Sequence, residues 1–185
     1  MRRFLCILTF IGSLLYSQEY CAGDQISNTH QNQTFNACYG ECDCEGWSLS
    51  DYAGDIIFLD LSAAWCVPCF SSIDAIDDLE EYWSATNPNV KFVTALSDIG
   101  QPYSCAEWGN EGVLGSPLIV EDDGQLHDWF IESGQYPGYV LIDHTMTVRA
   151  KPSNIFSNNN DGDCDSYNLE GECLNDLISN LLDEC

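Results

Sequence analysis

Asp60-Leu61-Ser62-Ala63-Ala64-Trp65-Cys66-Val67-Pro68-Cys69 joins an apolar run to two cysteines separated by two residues, and the fold turns on how this stretch is read. Upstream, Ile56-Ile57-Phe58-Leu59-Asp60-Leu61 is nearly continuous in apolar, β-branched character, as a central strand covered on both faces requires. Downstream, Phe70, Ile73, Ile76, Leu79 and Trp83 recur at steps of three and four. This spacing predicts an amphipathic helix that starts at the cysteines, with Pro68 in its first turn, where proline is tolerated. A thiol at a helix start faces unpaired N–H groups and the positive end of the peptide dipoles, which stabilise its thiolate. A second thiol one turn along can resolve a mixed disulfide. The spacing alone also suits half a zinc site or a structural staple. Asp60 has two readings as well: a strand-end acid that reaches solvent, or a buried carboxyl that keeps its proton near neutral pH and can exchange it.

Working outward, Asn87-Pro88-Asn89 ends the helix and residues 90–96 form a second strand. Asp74, Asp77, Asp78, Glu80 and Glu81 fill the helix positions between the apolar ones and are expected to be solvated. Residues 103–111 suit a helix carrying Cys105 and Trp108, 118–120 a strand, 121–124 a turn, and 126–131 a short helix with His127 on its polar side. Tyr136-Pro137-Gly138 leads into two short strands, 139–142 and 147–148, which read as a hairpin. Near the C-terminus, Leu174, Leu177, Ile178, Leu181 and Leu182 form one helical stripe that should cover a sheet face.

Met1-Arg2-Arg3, followed by an apolar stretch to residue 16, reads as a secretory signal peptide over 1–17, its apolar part too short to span a bilayer comfortably. An uncleaved interfacial anchor is the alternative. No later stretch has the length and apolarity of a span, so no stable membrane insertion is expected after cleavage. Export would place the cysteines in an oxidising compartment. With Cys6 lost and Cys66 and Cys69 set aside, Cys21, Cys38, Cys42, Cys44, Cys105, Cys164, Cys173 and Cys185 remain, an even set compatible with four structural bridges of undetermined pairing. Residues 18–46, polar and carrying four of these, read as a stapled Cys-rich extension ahead of a domain over 47–185.

Several weaker patterns are present. Cys38, Cys42 and Cys44 have no matching His or Cys pair nearby, so disulfides are expected there and no metal; no cofactor is implied either. His30 is expected at the surface, and Asn32-Gln33-Thr34 fits a glycosylation sequon. Residues 158–165 alternate Asx oxygens around Gly162, but Asn168 stands where a calcium loop needs a bidentate acid, so a polar turn is expected. The chain carries 30 Asp and Glu against 5 Lys and Arg, a formal charge of -25. That balance disfavours nucleic acid and anionic membrane surfaces as partners. It serves solubility or, alternatively, the selection of basic substrates; a monomer is expected.

Taken together, Asp60 to Cys69 resembles the active site of the thioredoxin superfamily, with an acid six residues before the first cysteine and Trp65 immediately before it. Tyr136-Pro137 resembles the cis-proline loop that faces the CxxC in that fold. The lead ending at Gly54 and the wide spacing to Pro137 resemble the extracytoplasmic TlpA/ResA-like and redoxin (AhpC-TSA-related) branch. The resemblance covers residues 47–182 and implies an α/β, thioredoxin-like fold, a central mixed β-sheet flanked by helices. It implies a secreted or periplasmic thiol:disulfide oxidoreductase acting on protein or small-molecule disulfides and dithiols. Cys66 would be the exposed nucleophile, Cys69 the resolving thiol and Asp60 the buried acid that moves the Cys69 proton. Pro137 would shape a substrate groove with Trp65, Tyr136, Val67 and Pro68.

The sequence also departs from the pattern. Phe70 and Ser71 stand where many relatives carry Lys or Arg, so no adjacent cation adds to thiolate stabilisation. Val67-Pro68 lacks the His of strongly oxidising members, which favours a reductant or general exchanger. Ala63 replaces the Thr of the peroxidase relatives and argues against peroxide reduction. The rival reading is a catalytically inert, disulfide-stapled extracellular binding module on the same fold.

Overall fold

The apolar run that ends at the cysteines is the central strand of the sheet. It is β2 (Ile56–Ala63), buried at every position. β3 (Val90–Ser97) pairs with it in parallel on one side and β5 (Gly138–Ile142) antiparallel on the other. The computed structural model describes residues 20–40, 46–111, 118–131, 134–151 and 171–184. Within these, β1 (Ala37–Tyr39), β4 (Leu118–Glu121) and β6 (Val148–Ala150) complete a mixed six-stranded sheet in the order β1-β4-β3-β2-β5-β6. Asp60 lies inside β2, opposite Thr94 on one side and Tyr139 on the other. The strand-end reading of this acid is therefore excluded.

Short helices α1 (Asn28–Gln31), α2 (Val67–Ser71) and α4 (Cys105–Gly109) accompany two longer ones, α3 (Ile73–Thr86) and α5 (Gly171–Asp183). The apolar stripes of α3 and α5 cover one sheet face, where Ile76, Trp83, Leu174 and Ile178 pack with Phe58 and Phe92. Trp83 ties the two helices by donating its indole N–H to Asn175 Oδ1 at 3.0 Å. The single helix predicted after the cysteines is broken at Ser72. Its hydroxyl donates to the Cys69 carbonyl at 2.7 Å and accepts from Tyr139 at 3.1 Å, a side-chain satisfaction of the helix end that lets a new helix begin.

The acidic face of α3 is not uniformly solvated. Asp74, Asp78 and Glu81 are exposed, but Asp77 is buried and Glu80 half-buried. The polar stretch before residue 47 also differs from expectation. Tyr20, Ile26 and Phe35 enter the core on the second sheet face, and β1 pairs antiparallel with β4 as the sheet's edge. Phe35 exchanges both backbone hydrogen bonds with Trp47 and meets the Trp129 ring edge-on at 5.7 Å. His30, expected at the surface, stacks on Trp129 at 4.1 Å. Three apolar residues at irregular intervals leave no periodicity to read, so their burial is visible only once the sheet forms.

Of the expected structural bridges, Cys38–Cys105 is present and fastens β1 to α4, and Cys21 is also disulfide-bonded. Beside the Cys38–Cys105 bridge the Tyr39 ring lies flush on Gly109, where any Cβ would collide with it. Residues 1–17, Cys42, Cys44, Cys164, Cys185 and 158–168 lie outside the described residues, as does the side chain of Cys173. Among the described residues no helix is long and apolar enough to cross a membrane. Because Phe35 is core, Phe35→Ala should cost about 3–5 kcal/mol of unfolding free energy in urea titration; a loss below about 1 kcal/mol would make residues 20–39 an accessory tail.

Candidate active site

The site forms where β2 gives way to α2. Cys66 occupies the N-cap of α2, and its Sγ accepts the Cys69 backbone N–H at 3.2 Å. Pro68 lies in the first turn, where the N–H it lacks has no helical acceptor to lose. The two cysteines are joined in a disulfide. Against the expectation of an exposed nucleophile, Cys66 is only 3 % accessible in this oxidised form and Cys69 is fully buried. Their neighbours are not: Trp65 is 49 % and Val67 74 % exposed, and Pro68 is exposed too. An apolar rim therefore flanks a largely covered disulfide.

Trp65 is fixed from two sides. Its indole N–H donates to Asp98 Oδ2 at 2.7 Å, and its ring meets Tyr136 edge-on at 5.6 Å. The Tyr136-Pro137 peptide is cis. Tyr136 donates its hydroxyl to Ser97 Oγ at 3.3 Å and packs against the cluster that contains Cys66 and Cys69. Behind this loop stands His127, expected on a polar helix face but in fact buried. Its segment is a single 3-10 turn, His127–Trp129. Asp122 sets that turn by accepting the backbone N–H groups of Gly124, Leu126 and His127. The imidazole is thereby directed inward, where it stacks on Tyr136 at 4.2 Å and donates from Nε2 to the Gln135 carbonyl at 2.7 Å. On the other flank Phe70 stacks on Tyr103 at 4.3 Å and meets Trp108 edge-on at 5.4 Å.

Asp60 is 2 % exposed. Burial pushes its pKa up to about 7, against the lowering effect of hydrogen bonds donated by Ser62 at 2.8 Å and Thr94 at 3.3 Å. Tyr139, opposite in the sheet, is raised by burial and then by the Asp60 charge. Ile73, Trp108 and Ile119 line a cavity beside Asp60 and also belong to the cluster around the two cysteines. Ser62 was missed, although its place two residues beyond Asp60 on the same strand face is a signal that could have found it. Thr94, Tyr139, Ser72 and Asp98 needed the strand register and the turn geometry.

No family model matches the sequence, and no curated protein matches it. Solved structures do. The exposed lipoprotein thioredoxin of Streptococcus pneumoniae is 18% identical, with TM-score 0.55 over 80% of this chain and 98% of that one. A secreted Mycobacterium tuberculosis disulfide oxidoreductase, homologous to the DsbE protein of E. coli, is 15% identical, with TM-score 0.58 over 84% of this chain and 100% of that one. A thioredoxin-family thiol:disulfide interchange protein from Chlorobium tepidum is 15% identical, with TM-score 0.53 over 80% and 96%. The fold is thioredoxin-like.

The raised Asp60 pKa carries a sign. Between the ordinary value of 3.8 and about 7, the folded protein keeps a proton that the unfolded chain releases. Stability therefore falls as pH rises through that window and levels off above it, by at most on the order of 4 kcal/mol. Relative to wild type, oxidised Asp60→Asn should gain unfolding free energy progressively from pH 4 to 7 in urea titrations. A difference independent of pH would show that Asp60 is not held protonated.

Proposed function

We propose that the protein is an extracytoplasmic thiol:disulfide oxidoreductase in which Cys66 and Cys69 cycle between dithiol and disulfide. The observation that carries this reading is a Cys-Val-Pro-Cys disulfide closed at the end of the central strand, with a buried acid of pKa about 7 on that strand beside a cavity whose lining is shared with the cysteine cluster, and Tyr136 packed against the same cluster. As a reductant, the Cys66 thiolate attacks one sulfur of a substrate disulfide and the other sulfur leaves as a thiolate. Cys69 loses its proton to the Asp60 carboxylate and attacks Cys66. The Cys66–Cys69 bond forms, the mixed disulfide breaks, and two electrons have passed to the substrate. Pro137, Tyr136, Trp65, Val67 and Pro68 frame the groove that a protein or small-molecule disulfide would enter. The signal-like residues 1–17, together with neighbours described as exposed and secreted, support action outside the cytoplasm.

A second reading, an inert module that has kept the fold, draws on one observation, the 3 % accessibility of Cys66. The two readings separate cleanly. Cys66→Ser should abolish reduction of a model protein disulfide, and Cys69→Ser should accumulate mixed disulfides visible by non-reducing electrophoresis and mass spectrometry. Turnover that survives Cys66→Ser, or a wild-type disulfide that dithiols cannot open, would favour the inert module.

A further inference from the structure

We propose that Asp77 and Glu80 on α3 form, with Asp60, the route by which the proton taken from Cys69 reaches solvent. The inference rests on the reading of Cys66 and Cys69 as a cycling pair. A sealed base that has accepted the Cys69 proton is cleared by release to solvent or by return of the proton to Cys69 when the disulfide is next reduced, and Asp60, almost wholly buried, cannot release it directly.

The geometry provides a path. Asp60, Thr94, Ile73, Asp77 and Trp108 surround a cavity with about 10 Å³ available to the centre of a water molecule, room for about one water. Asp77, itself 2 % exposed, borders that cavity from α3. Glu80 follows three residues later, on the same side of the helix. Its Oε2 is buried and has no hydrogen-bond partner among the described residues. Glu80 also lines a surface groove of about 290 Å³ together with Tyr52, Ser84, Pro88 and Lys91. β3 follows the same order, with Thr94 at the cavity and Phe92 at the groove. Carboxyl groups thus lead from the core to an open groove within one turn of α3.

The surroundings keep these groups able to exchange protons near neutral pH. Asp60 is faced by Ser62, Thr94 and Tyr139. Burial, and then the Asp77 charge, raise the Glu80 pKa to about 7. The groove's cation, Lys91, lies 3.9 Å from Asp55 and 5.7 Å from the centre of the Tyr52 ring. As Cys69 attacks Cys66, its proton passes to Asp60. From there it moves through the cavity to Asp77, then to Glu80 and the groove, while the departing substrate thiolate takes its own proton from water. Asp77 and Glu80 act through Asp60.

Steady-state reduction of a model disulfide, with a dithiol re-reducing the protein after each turnover and the rate measured from pH 5 to 9, tests the route. Asp77→Asn should lower the plateau rate about tenfold while iodoacetamide alkylation of reduced Cys66 stays unchanged. Glu80→Gln should slow turnover less and be rescued by millimolar imidazole, which can carry protons from the groove. Two results would overturn the proposal: an Asp77→Asn plateau equal to wild type with only its midpoint moved, which makes Asp77 a charge neighbour, or an equal fall in turnover and alkylation at every pH, which makes it structural. Wild-type turnover is measured first. Its absence refutes the oxidoreductase reading and the route with it, whereas its presence with an unchanged Asp77→Asn profile refutes the route alone.

Discussion

A carboxyl group in the middle of a strand covered on both faces is the constraint around which this molecule is arranged. Burying Asp60 as an anion would be costly, and two hydroxyl donors offset only part of that cost, so its proton is held to about neutral pH. The position is possible only because β2 is central: Thr94 reaches the acid from one neighbouring strand, and Tyr139 faces it from the other. The same centrality delivers Cys66 to the end of the sheet, at the start of α2. Acid and dithiol are thus consequences of one strand's placement.

Around that strand the walls of the site are braced from a distance. The Cys38–Cys105 bridge and the Tyr39 ring on Gly109 hold β1 to α4. α4 in turn places Trp108 against both Phe70 and the cavity beside Asp60. On the opposite flank, Asp122 shapes the turn that seats His127 beneath Tyr136. Residues far apart in sequence, including those before the dithiol segment, therefore set the surroundings of both thiols.

Much of the fold was legible because its signals are local. The β-branched run, the three-and-four spacing after the cysteines, the Asn-Pro-Asn stop and the hairpin after Pro137 each depend on neighbours along the chain. The misses have a common cause. The break at Ser72 depends on a hydroxyl from β5, the inward turn of His127 on Asp122, and the burial of Phe35 on Trp47 and Trp129. Asp77 sat in an acidic pattern that looked solvated, yet α3 packs on β3 so closely that one of its acids is enclosed while Asp74 and Asp78 remain outside.

By itself, then, the sequence determined that a strand, a CxxC and a helix follow one another, that an acid interrupts the strand, and that a proline precedes the last hairpin. Hydrophobic periodicity and backbone stereochemistry act over a few residues, and these suffice for such statements. Only the tertiary structure decided that Asp60 faces Thr94 and Tyr139, that the oxidised Cys66 is covered, that the polar N-terminal stretch completes the sheet, and that Asp77 shares a cavity with Asp60. Burial and electrostatics depend on what the rest of the chain brings alongside, and no local pattern encodes that.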